Sequence, residues 1–236
     1  MEDLGWLTVT SWRFGEIDKP VGGFGELADL FAGYKAVSGN AVNVDQVQFW
    51  QALGTLKWGI ICLLQAFTHL SGQRRSVELA AIGTRVSEAE IDLLQIMAPR
   101  ESLERIELPR NASGCRPTAA ELAQAVAEYL NNDAIPALDG RPAFHAKVAA
   151  NMLGVIERQE LLSPAVYAAQ TRRLQTLLGQ QGSATELNNT LCQHIRDAKL
   201  GLDTPALLDH LWSSTSERLA IDQPQYATYQ RLITPK

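Results

Sequence analysis

The chain has 236 residues, of which 46% are hydrophobic and 20% charged, and its net charge is −5. This composition is that of an ordinary globular protein with room for one large domain or two small ones. No run of lysine and arginine is dense enough for a nucleic-acid or polybasic membrane patch, so neither nucleic acid nor a membrane is expected as a partner. The start, MEDLGWLTV, lacks the pattern of a secretory signal, and the most apolar run, Trp58 to Leu64, is too short to cross a bilayer.

The three cysteines, Cys62, Cys115 and Cys192, are far apart and form no CxxC pair. They predict neither a disulfide framework nor a zinc site. A reduced, cytoplasmic setting without a bound metal fits this pattern best.

The first region begins with an irregular segment and continues with helices. Residues 1–24 contain one possible helical turn and a Gly- and Pro-rich loop near Pro20. A short amphipathic helix follows from Glu26 to Val37, then a long helix from Val44 to Gly72, and then a helical run from Ser76 to Met97. Because the loop between the last two is short, we expect them to pack as antiparallel neighbours.

The Val44–Gly72 helix is expected to be the centre of its domain. Large apolar residues recur along it at alternating spacings of four and three, the period of one helix face. They are Phe49, Leu53, Leu56, Ile60, Leu63, Phe67 and Leu70. The other side is also rich in apolar residues, so we expect burial on several sides. If nothing in the chain covers part of this surface, dimerisation or poor solubility should follow.

Residues 98–116 differ in character, because they are charged, contain two prolines and end in a polar group. We therefore divide the chain into a first region over residues 1–98, a linker over 99–116, and a helical bundle over 117–236.

The second region shows several helix starts with capping residues. Capping boxes begin at Thr118 and Ser183, while Pro142, Ser163-Pro164 and Thr204-Pro205 mark three further starts. No stretch alternates at period two, so almost no sheet is expected. The predicted fold class is all-α, with the last region a small bundle.

Two blocks of the sequence resemble known families. MEDLGWL, SWRFG, PVGGFG, FWQALGTLKWGIICL and SVELAAIGTRVSEAEIDLL, within about residues 1–98, resemble the C-terminal part of aminoglycoside phosphotransferase-family kinases. The branch they resemble is related to the kinase domain of certain acyl-CoA dehydrogenase fusion proteins. A second block, over about residues 115–230, resembles an uncharacterised domain family often found beside such kinases.

This resemblance implies part of a kinase-like C-lobe whose parent would phosphorylate a small-molecule hydroxyl with ATP. The chain lacks the phosphate-binding lysine, the catalytic-loop aspartate and the magnesium-binding segment, so it should be inactive alone. ATP and magnesium are expected only for a full-length parent. By the resemblance, Asp3 matches the second aspartate of an Asp-Pro-x-x-Asp-Leu motif and is a structural remnant.

Four residues are candidates for substrate binding. Lys57 and Trp58 would line an acceptor pocket by the same resemblance, although we favour the interpretation that Trp58 belongs to the core and that Lys57 reaches outward. Trp12 and Arg13 lie in a predicted loop, where an aromatic residue beside an arginine is typical of recognition. Glu88, Glu90 and Asp92 form an acidic cluster that a solvated helix face explains. No catalytic triad has a local signature.

Two functions therefore remain open. The chain is either the C-terminal portion of a phosphotransferase-family protein or a non-enzymatic helical interaction protein. The expected partners are a second copy of the chain, the missing kinase portion, or an acyl-CoA dehydrogenase.

Overall fold

The computed structural model describes residues 1–109 and 116–234, and within these ranges the protein is all-α, as predicted. No strand is present there, and a single isolated β-bridge joins Val21 and Gly25. The predicted linker over 99–116 lies partly outside the described residues. Two compact units are formed, one by residues 1–104 with 223–236 and the other by residues 105–222.

The first unit contains six α-helices, counted over its described residues. They are α1 (Glu2–Leu7), α2 (Leu27–Ser38), α3 (Val44–Leu70), α4 (Val77–Gly83), α5 (Val86–Met97) and α10 (Ala227–Ile233). A 3₁₀ turn over Thr10–Arg13 follows α1. The bounds of α2 and α3 agree closely with the predicted helices. Asn43 begins α3 by accepting a hydrogen bond from the Gln46 backbone N–H at 3.0 Å.

The helix α3 packs against α1, α4 and α5 through small residues. Gly54 and Gly59 are buried on this side, and a methyl group at Gly54 would lie 2.9 Å from a Val9 side-chain carbon. At Gly59 the same addition would lie 3.2 Å from the Ala89 methyl. Small residues therefore let neighbouring helices approach the α3 backbone closely.

The run predicted as one helix from Ser76 to Met97 is two helices. Ser76 caps α4 by accepting from the Glu78 N–H, as helix-start chemistry requires. The chain then turns at Thr84 and Arg85, whose N–H groups donate to the Ala81 and Ile82 carbonyls, before α5 begins. The single helix expected there is wrong, because both short helices are redirected to pack on α3.

The chain returns to the first unit at its C-terminal end. The helix α10 packs on α5, and the Leu103 N–H donates to the Leu232 carbonyl at 2.8 Å. Gln223 donates from Nε2 to the Thr84 hydroxyl at 3.0 Å. Segments more than one hundred residues apart thus complete one core.

The second unit contains four α-helices among its described residues. They are α6 (Ala119–Tyr129), α7 (Gly140–Leu178), α8 (Ala184–Arg196) and α9 (Pro205–Asp222). The helix α7 packs against each of the other three. A buried leucine cluster joins α7, α8 and α9 through Leu174, Leu187, Leu191 and Leu207.

The expected helix boundary at Ser163-Pro164 is wrong, because α7 is a single helix of 39 residues that continues through Pro164. A proline inside a helix removes one backbone hydrogen bond and costs about 3 kcal/mol. Buried side chains on both sides of it, including Leu162 and Leu174, hold the helix against its neighbours. Packing over many turns outweighs the local cost.

No helix in the part of the chain that the structure describes combines the length and the apolar character needed to cross a bilayer.

Candidate functional site

The large apolar residues of α3 face solvent. We name Phe49, Leu53, Leu56, Ile60, Leu63, Phe67 and Leu70 the α3 stripe. Phe49 is 62% exposed, Phe67 65% and Leu70 73%, and only Leu53 is half-buried among the seven. The expectation that this stripe faces the core is wrong, because α1, α4 and α5 occupy the opposite side, where the residues are small.

The α3 stripe forms a broad apolar surface, and Lys57 is the one Lys, Arg, Asp or Glu residue between Phe49 and Leu70. With the neighbouring exposed Leu64, it presents about 800 Å² of apolar surface, taking roughly 200 Å² for each complete side chain. The largest apolar patch of a typical monomer is about 300–600 Å². From Trp58 to Thr68 the sequence has no charged residue, so a partner covering this stretch would bury no ion. The surface has the size and chemistry of a protein interface.

Asp3 and Lys57, two of the predicted site residues, line one pocket. The pocket has a volume of about 270 Å³, and Glu2, Trp6 and Trp50 also line it. Lys57 donates to the Glu2 carboxylate at 2.7 Å, and its ammonium lies 6.0 Å from the centre of the Trp50 ring. Both partners of this ion pair are about half exposed, so its net contribution to stability is small.

Trp12 and Trp58 lie together in a cluster of aromatic rings. The Trp12 ring centre is 5.2 Å from that of Trp6 and 5.1 Å from that of Trp58. The Arg85 guanidinium lies 5.4 Å from the centre of the Trp58 ring. Both Trp12 and Trp58 are half-buried. This cluster joins α1 and the 3₁₀ turn to α3.

Arg13 does not join that cluster but braces the loop around it. Its two terminal nitrogens donate to the Thr8 carbonyl at 2.8 Å and the Ile17 carbonyl at 3.1 Å. Its Nε is buried and has no hydrogen-bond partner among the described residues. Burial lowers the pKa of Arg13, with the nearby Asp92 acting in the opposite direction.

Two of the three acids predicted as a cluster on α5, Glu88 and Asp92, are buried, and Glu90 is half-buried, so the expectation of a solvated face is wrong. Asp92 is 2% exposed and Glu88 4%. Asp92 accepts hydrogen bonds from the Tyr226 hydroxyl at 2.6 Å and the Thr228 hydroxyl at 2.8 Å. Glu88 accepts from the Arg85 guanidinium through both of its oxygens. Asp92 thus links α5 to the C-terminal segment, whereas Glu88 pairs with the residue directly before α5.

Burial is the main cause of the pKa shifts of Asp92 and Glu88. It raises the pKa of Asp92 to about 7, although the Tyr226 and Thr228 hydroxyls favour the carboxylate. Burial also raises the pKa of Glu88, and the Arg85 hydrogen bond opposes this shift. Asp92 therefore changes charge close to neutral pH.

Sequence reasoning missed Asp92 as a core residue because its partners lie more than 130 positions away. A weak signal was present. Asp92 directly follows the buried Ile91 and lies four residues after Glu88, so both acids border the apolar side of α5.

A polar cluster of structural character lies between α7 and α9 in the second unit. Arg173 on α7 forms a bidentate ion pair with Glu217 on α9. His210, also on α9, is buried, and burial lowers its pKa to about 4, assisted by the nearby Arg173. Because the His210 imidazole is neutral and Arg173 is paired with Glu217, the cluster buries no unpaired charge. Among residues 1–109 and 116–234, no three His, Cys, Asp or Glu side chains are grouped closely enough to hold a metal ion.

Comparison with known proteins gives one family match, over residues 136–226, to a domain of unknown function named DUF6285. This match covers less than half of the chain and lies within the second of the two blocks identified above. No curated protein and no solved structure matches the chain.

The resemblance of residues 1–98 to phosphotransferases is wrong, because no kinase or phosphotransferase family is found. Three further expectations rested on that resemblance alone and lose its support: Asp3 as a kinase remnant, ATP and magnesium in a parent enzyme, and the missing kinase portion as a partner. The acyl-CoA dehydrogenase partner loses its only support. Residues 136–226 are similar to a family whose description assigns no activity.

Proposed function

We propose that this chain is a non-enzymatic helical interaction protein that assembles with a second copy of itself through the α3 stripe. The observation that carries the proposal is the solvent exposure of six of the seven large apolar residues of the stripe. The cytoplasmic location expected from the cysteine pattern is part of this proposal.

The area of the stripe supports a second copy as its occupant. A specific interface of standard size buries about 800 Å² on each partner, which is the area that the stripe and Leu64 present. Closed assembly of two identical chains uses the same patch on each partner. One face of one long helix is enough for such a contact, because two α3 helices can cover each other.

The order of residues along the stripe also supports self-association. A two-fold axis can run along the paired helices or across them, so two α3 helices can pair parallel or antiparallel. The stripe carries a phenylalanine near each end, Phe49 and Phe67, with aliphatic residues between them. Apolar residues therefore meet apolar residues whether the two helices pair parallel or antiparallel. The Trp58–Thr68 stretch contains no charged residue, so its burial leaves no charge unpaired.

Analytical ultracentrifugation tests the proposal. The wild-type chain should sediment as a dimer of twice 25.9 kDa at low micromolar concentration. Leu63→Gln/Phe67→Gln should be monomeric, with the dissociation constant of the dimer raised by at least about 100-fold. Each dimer loses four buried apolar side chains, and 1.4 kcal/mol corresponds to a factor of ten. Both residues are exposed in the single chain, so circular dichroism should show unchanged helix content.

The matched control is Phe24→Gln/Val37→Gln, which also replaces one exposed phenylalanine and one exposed aliphatic residue. Phe24 is 76% exposed and Val37 92% exposed, and neither belongs to the stripe. This variant should remain dimeric. A wild-type monomer at tens of micromolar, or equal weakening of the dimer by both double variants, would overturn the proposal.

A further inference from the structure

We infer that the first unit has a binding site for a small molecule that carries an oxyanion, either a carboxylate or a phosphate. The site is a cavity between the 3₁₀ turn, α5, α10 and the segment after α5. Its volume is about 500 Å³, which lies within the range of about 300–1,000 Å³ typical of small-molecule sites. This cavity is separate from the α3 stripe, and the inference does not depend on dimer formation.

Three arginines from three separate segments line the cavity. They are Arg13 of the 3₁₀ turn, Arg100 after α5, and Arg231 of α10. Guanidinium groups present several N–H donors in one plane and match the geometry of carboxylate and phosphate oxygens. Convergence of three such groups on one cavity favours an anionic ligand.

Arg13 is the most informative of the three. It is half-buried, and no described carboxylate lies within ion-pair distance of its guanidinium. Two backbone carbonyls accept from its terminal nitrogens, while its buried Nε donates to no described group. Burying a cation without an anionic partner is costly. An oxyanion in the cavity would supply that partner.

The acids that line the cavity do not cancel its positive charge. Asp92 is held by Tyr226 and Thr228, and it is partly protonated at neutral pH because burial raises its pKa to about 7. Glu101 is the other lining carboxyl group. Arg231 pairs with Asp18, which is itself largely exposed to solvent. Three arginines and two acids line the cavity, so the formal charge of its lining is positive.

The apolar residues that line the cavity indicate the chemistry of the uncharged part of the ligand. Ile17, Ile96 and Leu232 line the cavity beside the arginines. An apolar wall beside a cationic one suits a small molecule with a short hydrocarbon part and a charged end. A free inorganic anion would use only the cationic side.

Thermal unfolding of the full chain with added ligand tests the inference, with inorganic phosphate and hexanoate as probes and sodium chloride at equal ionic strength as reference. At least one probe should raise the Tm of the wild type at millimolar concentration, because a ligand that binds only the folded state stabilises it. Arg13→Gln should abolish that shift, and Arg13→Lys should keep part of it. Arg74→Gln, at an exposed arginine that does not line the cavity, should behave as the wild type does.

Arg13 also braces its loop, so a second measurement is made on the wild type alone. In ¹H–¹⁵N spectra the same probe should move the backbone signals of Thr10, Gln95 and Thr228, which line the cavity, and leave those of Phe67 and Leu70 in place. Hexanoate acting more strongly than phosphate would identify the apolar wall as part of the site. No response to either probe, or an equal response in Arg13→Gln, would overturn the inference.

Discussion

Asp92 makes the stability of the first unit depend on pH in an unusual direction. Its carboxyl group is 2% exposed, and burial raises its pKa from 3.8 to about 7. Between these values the folded chain holds a proton on Asp92 that the unfolded chain has released. The unfolded state thus binds fewer protons, and the free energy of unfolding falls as the pH rises.

The magnitude follows from the same two values. One pKa unit corresponds to 1.36 kcal/mol, so the contribution of Asp92 falls by about 4 kcal/mol between pH 4 and pH 7. This is a large share of the 5–15 kcal/mol that stabilises a typical domain. The stabilisation by protonated Asp92 is fully present below the pKa of Asp92 in the unfolded chain. It is lost as the pH rises through the pKa of Asp92 in the folded chain. Two charged groups act on Asp92: Glu88 raises its pKa and Arg13 lowers it.

Urea unfolding of the wild type and of Asp92→Asn at pH 4.5, 6 and 7.5 measures this effect. The amide cannot ionise, and it retains an oxygen that can accept from Tyr226 or Thr228. The variant should therefore gain stability relative to the wild type as the pH rises, by up to a few kcal/mol at pH 7.5. Asp29→Asn, at an exposed aspartate of α2, should show a constant offset. A constant difference between the wild type and Asp92→Asn across this range would refute the assignment.

Two further substitutions test the packing and the capping of individual helices. Gly5→Ala should destabilise the first unit by about 1–3 kcal/mol or more in chemical unfolding, because the new methyl would lie 2.4 Å from the Trp50 Cβ; near-wild-type stability would show that α1 is placed differently. Ser183→Ala should cost about 1 kcal/mol by loss of the capping bond to the Glu186 N–H, with Ser183→Thr restoring most of it. Equal stability of the alanine and threonine variants at position 183 would contradict the capping role.

Local chemistry predicted much of the fold. The capping boxes that begin at Thr118 and Ser183 are both present, each with its serine or threonine accepting from the backbone three residues later and its glutamate accepting from the cap N–H. The ends of α2 and α3 also agree closely with their predicted positions. These features depend on residues three or four positions apart, which sequence patterns report directly.

The inward side of α3 could not be predicted from the size of its residues. The heptad-like stripe identified a helix face correctly but indicated nothing about which face the neighbours occupy. Gly54, Thr55, Gly59 and Cys62 are the buried positions of the middle of α3, and they are small. A search for close helix contacts through small residues would have favoured that side.

Long-range pairing also escaped prediction. The buried state of Asp92 depends on Tyr226 and Thr228, and nothing local marks these residues as its partners. The C-terminal helix α10 was not predicted at all. The continuation of α7 through Pro164 likewise depends on packing against α6, α8 and α9 rather than on local propensity.

The two sides of α3 explain how one helix can serve both the core and a surface. Close approach of α1, α4 and α5 requires small residues on the inner side, since a methyl at Gly54 or Gly59 would already crowd its neighbours. The bulky residues of the helix then have no place inside the first unit, and they collect on the outer side as the α3 stripe. Replacing them with polar residues would cost the single chain little stability, because they are already exposed. A continuous row of large apolar side chains at such positions is therefore better explained by a contact outside the unit than by the folding of the unit itself.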